Sequence, residues 1–261
     1  MNLLLMNHNT ISKDHLVLTI YSLITQTIKI RFGTIFVYNN STEICTDFII
    51  DLINTAIIEY DRIIILNTSN TKTLTGDLKY ISKQIYKSQE KILILKMDYS
   101  LSYTSLEFIQ NITDQTFLFS LPTVNSKEYV TDSEIIEYLL NDKFVINDHQ
   151  TFYRGSDLYE PINEIGMYEN ELCEQIKYIS WGGSLDFNVH VMTQNLMEYF
   201  SQEDEQISWG GCSAFHRMNN NKIKIIKSHD CFALHKYHGV LSVNNSQERN
   251  DNRKNVFGHR Y

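Results

Sequence analysis

The sequence predicts an α/β protein built on a mainly parallel sheet, and three observations predict it. Short apolar runs and stretches of helical periodicity alternate through the first hundred residues. The apolar runs are unbroken, as in strands covered on both faces. The stretches between them run about 12 to 15 residues, long enough for helices that carry the chain from one parallel strand to the next.

The elements follow in order. "NLLLMN" reads as the first strand, and the opening lacks the basic n-region and small-residue cleavage site of a signal peptide. "SKDHLVLTIYSLITQT" carries apolar residues at helical spacing, with Ser12 placed to cap it. "GTIFVYNNS" is a β-rich run ending in the turn formers Asn39, Asn40 and Ser41. "TDFIIDLINTAIIEY" returns to helix, "DRIIILNTSN" to strand, "TGDLKYISKQIYKSQ" to helix and "KILILKMD" to strand. The order is βαβαβαβ. Ligands of such sheets sit beyond the carboxyl ends of the strands, so "VYNNST", "LNTSNTKT" and "KMDYS" form the expected binding edge. Neither GxGxxG nor GxxxxGK[ST] occurs, so a phosphate has to be gripped in some other way.

Beyond residue 100 the pattern blurs. "DQTFLFSLPTV" and "KFVIND" read as strands, "DSEIIEYLLND" as a helix and "FYRGSDLYEPINEIGMYENE" as a loop-rich surface. The last third holds both tryptophans and a paired element, "SWGGSLDF" (Ser180 to Phe187) and "SWGGCSAF" (Ser208 to Phe215). Two copies are too few for a solenoid. Residues 241–261 form a polar tail that is expected to be flexible.

Composition limits the partners. The 261 residues are 43% hydrophobic, enough for one full core in a single large domain. A net charge of −8 argues against a general attraction to nucleic acid or anionic lipid. No run of about 18 apolar residues is present, so no membrane span is expected. Cys45, Cys173, Cys212 and Cys231 show no CxxC spacing and are too sparse for a disulfide scaffold, which points to a reducing, cytoplasmic setting. His229, Cys231, His235 and His238 are dense, but their spacing matches no zinc pattern.

At this point the residues carry a family resemblance. "LTIYSLITQT" followed by "GTIFVYNNST" resembles the opening of inverting nucleotide-sugar glycosyltransferases of the GT-A fold. "DRIIILNTSN" is similar to that family's third strand, and "KILILKMDYS" to the fourth, which runs into an Asp-x-Asp motif. "YFSQEDEQISWGG" resembles the acidic stretch before Trp-Gly-Gly in the galactosyltransferase-like branch, and "IKIIKSHDCFALHKYHG" the strand and histidine segment that close the site. The matches keep the family's order from about residue 3 to residue 240.

The resemblance implies a GT-A (Rossmann-like) domain with a mixed, mainly parallel sheet flanked by helices. Residues 1–100 would be its nucleotide-sugar-binding half and 101–240 its acceptor-binding and site-closing half. It implies transfer of a sugar, from a UDP-sugar, to a hydroxyl of a glycan or glycoprotein acceptor with inversion. Asn39 and Asn40 fall where the family's acidic residue meets the uracil, and an amide can also hydrogen-bond a base edge. Asn67 and Ser69, on the next strand's exit, join them as nucleotide-binding candidates. Asp98, with Tyr99 and Ser100, falls on Asp-x-Asp, so half of the Mn²⁺ or Mg²⁺ motif survives and metal affinity should fall. His235 and His238 lie where the family places a histidine near the metal or the diphosphate.

The larger departure is at Trp-Gly-Gly. Cys212 and Ser213 stand in place of the family's Glu-Asp pair, which grips the acceptor and supplies the general base. Neither is a good base at neutral pH without activation. Asp186, after the first Gly-Gly element, is the best replacement carboxylate, ahead of Asp204, Glu205 and His216. Trp181 and Trp209 could stack on sugar faces, and Gly210 and Gly211 permit close backbone approach. The alternative is a catalytically inactive module that keeps the scaffold and binds a glycan, a nucleotide or a protein.

Overall fold

The computed structural model describes residues 1–7, 12–41, 43–68, 74–85, 90–111, 117–120, 123–126, 130–140, 152–154, 167–168, 189–192, 224–227 and 231–236. Its first part is the expected alternation. β1 (Asn2–Asn7), α1 (Lys13–Ile24), β2 (Phe32–Asn39), α2 (Thr46–Thr55), β3 (Tyr60–Ile65), α3 (Leu74–Ile85) and β4 (Ile92–Lys96) follow one another. The four strands are parallel and lie in the order β3-β2-β1-β4.

Position in that order explains the composition of each strand. All six residues of the inner strand β1 are buried, and so are Ile92 to Leu95 of β4. β3 closes the edge, and its outer face meets solvent, so Ile65 is 57% exposed although the run "RIII" reads as fully covered. Leu3, Leu5, Ile35, Val37, Leu93 and Leu95 form the sheet's share of the core, and Leu16, Ile20, Leu23, Ile49 and Ile53 of α1 and α2 close over it.

Helix α2 stops earlier than the apolar spacing of "TDFIIDLINTAIIEY" predicts. Ile57 has φ 56°, a left-handed conformation that ends the helix, and its side chain is 83% exposed. Ile58 then turns back into the core and Tyr60 opens β3.

Helix α1 is tied down by polar groups as well as apolar ones. Ser12 caps it by accepting from the His15 N–H, as expected. His15, Thr19, Ser22 and Gln26 recur at helical spacing, and all are buried. Thr19 Oγ1 donates to the Met97 carbonyl at 2.9 Å, and Ser22 Oγ accepts from the Leu101 N–H at 2.9 Å. Gln26 Nε2 donates to the Ser102 carbonyl at 3.0 Å while its Oε1 accepts from the Leu106 N–H at 2.8 Å. The stripe therefore pins the backbone that leaves β4.

The second part follows: β5 (Tyr99–Leu101), α4 (Ser105–Asn111), β6 (Phe117–Ser120), β7 (Thr123–Ser126), α5 (Asp132–Leu140), β8 (Phe152–Arg154), β9 (Met167–Tyr168), β10 (Val189–Met192), β11 (Lys224–Lys227) and β12 (Ala233–His235). β10 enters the large sheet antiparallel between β4 and β6, and β11 and β9 extend it to eight strands. β5, β12, β7 and β8 make a separate four-stranded sheet. The sheet is thus mixed and mainly parallel over its first half, as expected.

Several local readings change. "DQTFLFSLPTV" is not one strand: β6 joins the large sheet and β7 the small one. The segment read as a loop-rich surface contributes β8 and β9, whose pairing with distant strands compensates for weak local patterning. α5 confirms "DSEIIEYLLND" and opens with a capping box: the Glu134 N–H donates to Thr131 Oγ1, and Glu134 Oε2 accepts from the Thr131 N–H at 2.8 Å. "KFVIND" and the tail 241–261 lie outside the described residues.

Candidate functional site

The carboxyl edge of the parallel sheet is built by register. Asn7 of β1 stands opposite Asn39 of β2, and Met6 opposite both Tyr38 of β2 and Lys96 of β4. Three strand ends therefore finish level. Each exit continues the ladder: the Asn40 N–H donates to the Asn7 carbonyl and the Met97 N–H to the Met6 carbonyl, both at 2.8 Å.

On the β1–β2 side, Asn39 is consumed by loop building. Its Nδ2 donates to the Ile44 carbonyl at 2.7 Å and to Thr46 Oγ1 at 3.3 Å. Its Oδ1 accepts from Asn7 Nδ2 at 2.9 Å and from the Ser41 N–H at 3.3 Å. These four bonds fill the capacity of a primary amide. They also set the orientation of Asn7: with Nδ2 turned to Asn39, the Asn7 Oδ1 is a buried acceptor that has no hydrogen-bond partner among the described residues. Asn7 was not a sequence candidate. The signal that could have found it is its place at the end of β1, beside the point where the strand order reverses between β1 and β4.

On the β4 side, Asp98 and His235 come together although 137 positions separate them. β12 runs antiparallel to β5 with His235 opposite Tyr99, and the imidazole stacks on the Tyr99 ring at 4.8 Å between centroids. His235 Nε2 is 3.5 Å from Asp98 Oδ2. The same carboxylate oxygen accepts from Lys96 Nζ at 2.7 Å, and this ammonium lies 5.6 Å from the Tyr99 ring centroid. The Asp98 side chain is 1% exposed, Lys96 14% and His235 16%. Lys236, next to His235, pairs with Asp132 at the start of α5, which holds the end of β12 in place.

A divalent cation does not fit this donor set well. Asp98 Oδ2 already carries an ammonium, and the second motif position is Ser100, a buried neutral hydroxyl. Among the described residues no three His, Cys, Asp or Glu side chains gather as a ligand group. Cys231 is buried within the core cluster.

The other candidates separate. Asn67 lies beyond β3, two strands from β1, and its N–H and carbonyl are tied to the amide of Gln84 in α3. Asn40 lies on the edge, half-buried. Ser69, Trp181, Asp186, Trp209, Gly210, Gly211, Cys212, Ser213 and His238 lie outside the described residues.

Comparison with solved structures shows the fold and its companions. The chain superposes on S. aureus TarS 1-349 in complex with UDP-GlcNAc with a TM-score of 0.60 and 10% identity, covering 98% of this chain and 65% of that one. For the same TarS fragment with UDP the values are 0.54 and 10%, covering 91% and 61%. For GalNAc-T7 with UDP, GalNAc and Mn²⁺ they are 0.58 and 11%, covering 98% and 47%. The chain thus spans less than two thirds of the length of these structures. No family model matches the sequence, and no curated protein matches it. At such identities the likeness establishes the GT-A fold of glycosyltransferases and nothing finer.

Proposed function

We propose that this GT-A domain binds a UDP-sugar at the carboxyl edge of β1, β2 and β4 and transfers the sugar to a hydroxyl of a glycan or glycoprotein acceptor with inversion. The observation that carries the reading is the charged cluster of Lys96, Asp98 and His235, assembled from β4 and β12 at the edge where an α/β sheet receives its ligand. The similar structures are complexes with UDP, with UDP-GlcNAc, and with UDP, GalNAc and Mn²⁺, which supports this class of donor.

In this reading the base lies toward β1 and β2 and the diphosphate toward β4. Asn7 Oδ1 accepts from a ring N–H of the base, Asn40 lines the same edge, and Asn39 acts through the loop that it braces. Asn67 and Ser69 serve as outer contacts to the nucleotide. The acceptor oxygen attacks the anomeric carbon as its bond to the diphosphate breaks, and the acceptor proton passes to Asp186. β10 supports this role for Asp186: Val189, three residues later, stands opposite Leu95 at the carboxyl end of β4. Trp181, Trp209, Gly210, Gly211, Cys212 and Ser213 shape the acceptor side. His238 accompanies His235.

A second reading, a scaffold that binds without turnover, is favoured by one observation: the surviving motif carboxylate of Asp98 is engaged by Lys96.

Thermal unfolding with a panel of nucleotides and nucleotide sugars tests the proposal. A ligand at 100 times its dissociation constant stabilises by about 2.7 kcal/mol, and uridine compounds should do so selectively. A flat response to every uridine compound would sink both the donor site and the reaction. Product formation with Asp186→Asn equal to wild type would remove Asp186 from its role.

A further inference from the structure

Lys96 has no part in the sequence motif, yet it lies at the centre of the cluster. Its ammonium bonds Asp98 Oδ2 at 2.7 Å and lies 5.6 Å from the Tyr99 ring centroid. With Asp98 1% and Lys96 14% exposed at their side chains, the pair is shielded from water, and its charges are only partly screened. A divalent ion bonded to that oxygen at about 2.1 Å would lie beside the ammonium with a charge of the same sign. Ser100 offers a hydroxyl where a second carboxylate would have balanced that charge. A side-chain cation already bonds the carboxylate oxygen that such an ion would need.

We propose that Lys96 is the resident cation of this site and holds the diphosphate of a uridine nucleotide without a divalent metal. The proposal rests on the nucleotide-sugar reading above. An ammonium has three donors, and Asp98 takes one of them. Asp98 fixes the ammonium's position, and the Tyr99 ring lies within cation–π reach. His235, stacked on Tyr99, lies 3.5 Å from the same Asp98 oxygen. A cation held in this way faces the charge that grows on the β-phosphate as the anomeric C–O bond breaks, with no ion to recruit first.

Calorimetric titration with UDP and with uridine, in chelator and in Mn²⁺, on wild type, Lys96→Gln and Asp98→Asn tests this. Wild type is expected to bind UDP equally well in both conditions. Lys96→Gln should weaken UDP about tenfold or more and leave uridine unchanged, since only the diphosphate meets the ammonium. Asp98→Asn should keep or tighten UDP binding, because Lys96 loses its counter-charge, whereas a metal-ligand role for Asp98 requires the opposite. UDP binding by wild type that needs Mn²⁺ overturns the proposal while sparing the donor site, as does Lys96→Gln binding UDP like wild type. Wild type that binds neither uridine nor UDP overturns the donor site and this proposal together. Should Lys96→Gln fail to fold, Asp98→Asn and the Mn²⁺ comparison decide alone.

Discussion

Replacing Ser22 by Ala isolates the polar stripe of α1 in a single atom. Ser22 is fully buried, and its Oγ both donates to the Thr19 carbonyl at 2.7 Å and accepts from the Leu101 N–H at 2.9 Å. Removal leaves the N–H of Leu101, a residue 1% exposed, with no acceptor supplied by the helix. An unsatisfied buried backbone donor costs about 1–3 kcal/mol. Ala gains a few tenths of a kcal/mol of helix propensity over Ser, which offsets a little of this. The net expectation is a loss of about 1–2.5 kcal/mol, or roughly 2–10 °C for a chain of this size. Thr55→Ala is the control, because Thr55 Oγ1 makes the same kind of bond to the Asp51 carbonyl at 2.7 Å but on the exposed face of α2. Its cost should stay within about 0.5 kcal/mol. Urea unfolding of both variants, read by circular dichroism, gives the comparison. Equal midpoints for the two would refute the argument that α1 holds the exit of β4 through buried polar bonds.

Three further outcomes are expected. Ile57→Asn should leave stability unchanged or raise it by up to about 1 kcal/mol, because Asn tolerates the left-handed φ of 56° and a side chain 83% exposed has little burial to lose; a loss above about 0.5 kcal/mol in thermal unfolding would contradict this. Thr131→Ala should cost about 1 kcal/mol by opening the capping box of α5, measured by the same urea midpoints. The Thr131 hydroxyl and backbone N–H hold the Glu134 carboxyl below its ordinary pKa, so its contribution is complete above the unfolded-state pKa and is lost as pH falls through the folded-state one. Glu134→Gln should therefore flatten the acid limb of the stability profile, and an unchanged limb would remove Glu134 from it.

The βαβαβαβ order was legible because each element of the first hundred residues buries its own local pattern. β1 and β4 carry unbroken apolar runs, Leu3 to Met6 and Ile92 to Leu95, because both have strands on either side. Ser12 was legible as a cap because capping is a contact over three residues. The end of α2 was not, since Ile57 and Ile58 keep helical spacing while the backbone turns at Ile57. β8, β9 and β10 were not legible either. They are strands of four residues or fewer whose partners lie far along the chain, and single-sequence periodicity does not carry that pairing.

The sequence by itself determined the α/β class and the order of the first four strands along the chain, and it marked Asp98 at a strand end as a candidate. Tertiary structure decided what stands around that carboxylate. Lys96 is a local neighbour two residues before Asp98, but His235 arrives from β12 only because β12 pairs antiparallel with β5. Side-chain chemistry and short-range periodicity are written residue by residue, so they can be read directly. The company a charge keeps depends on strand order and register, which the whole chain settles together when it folds.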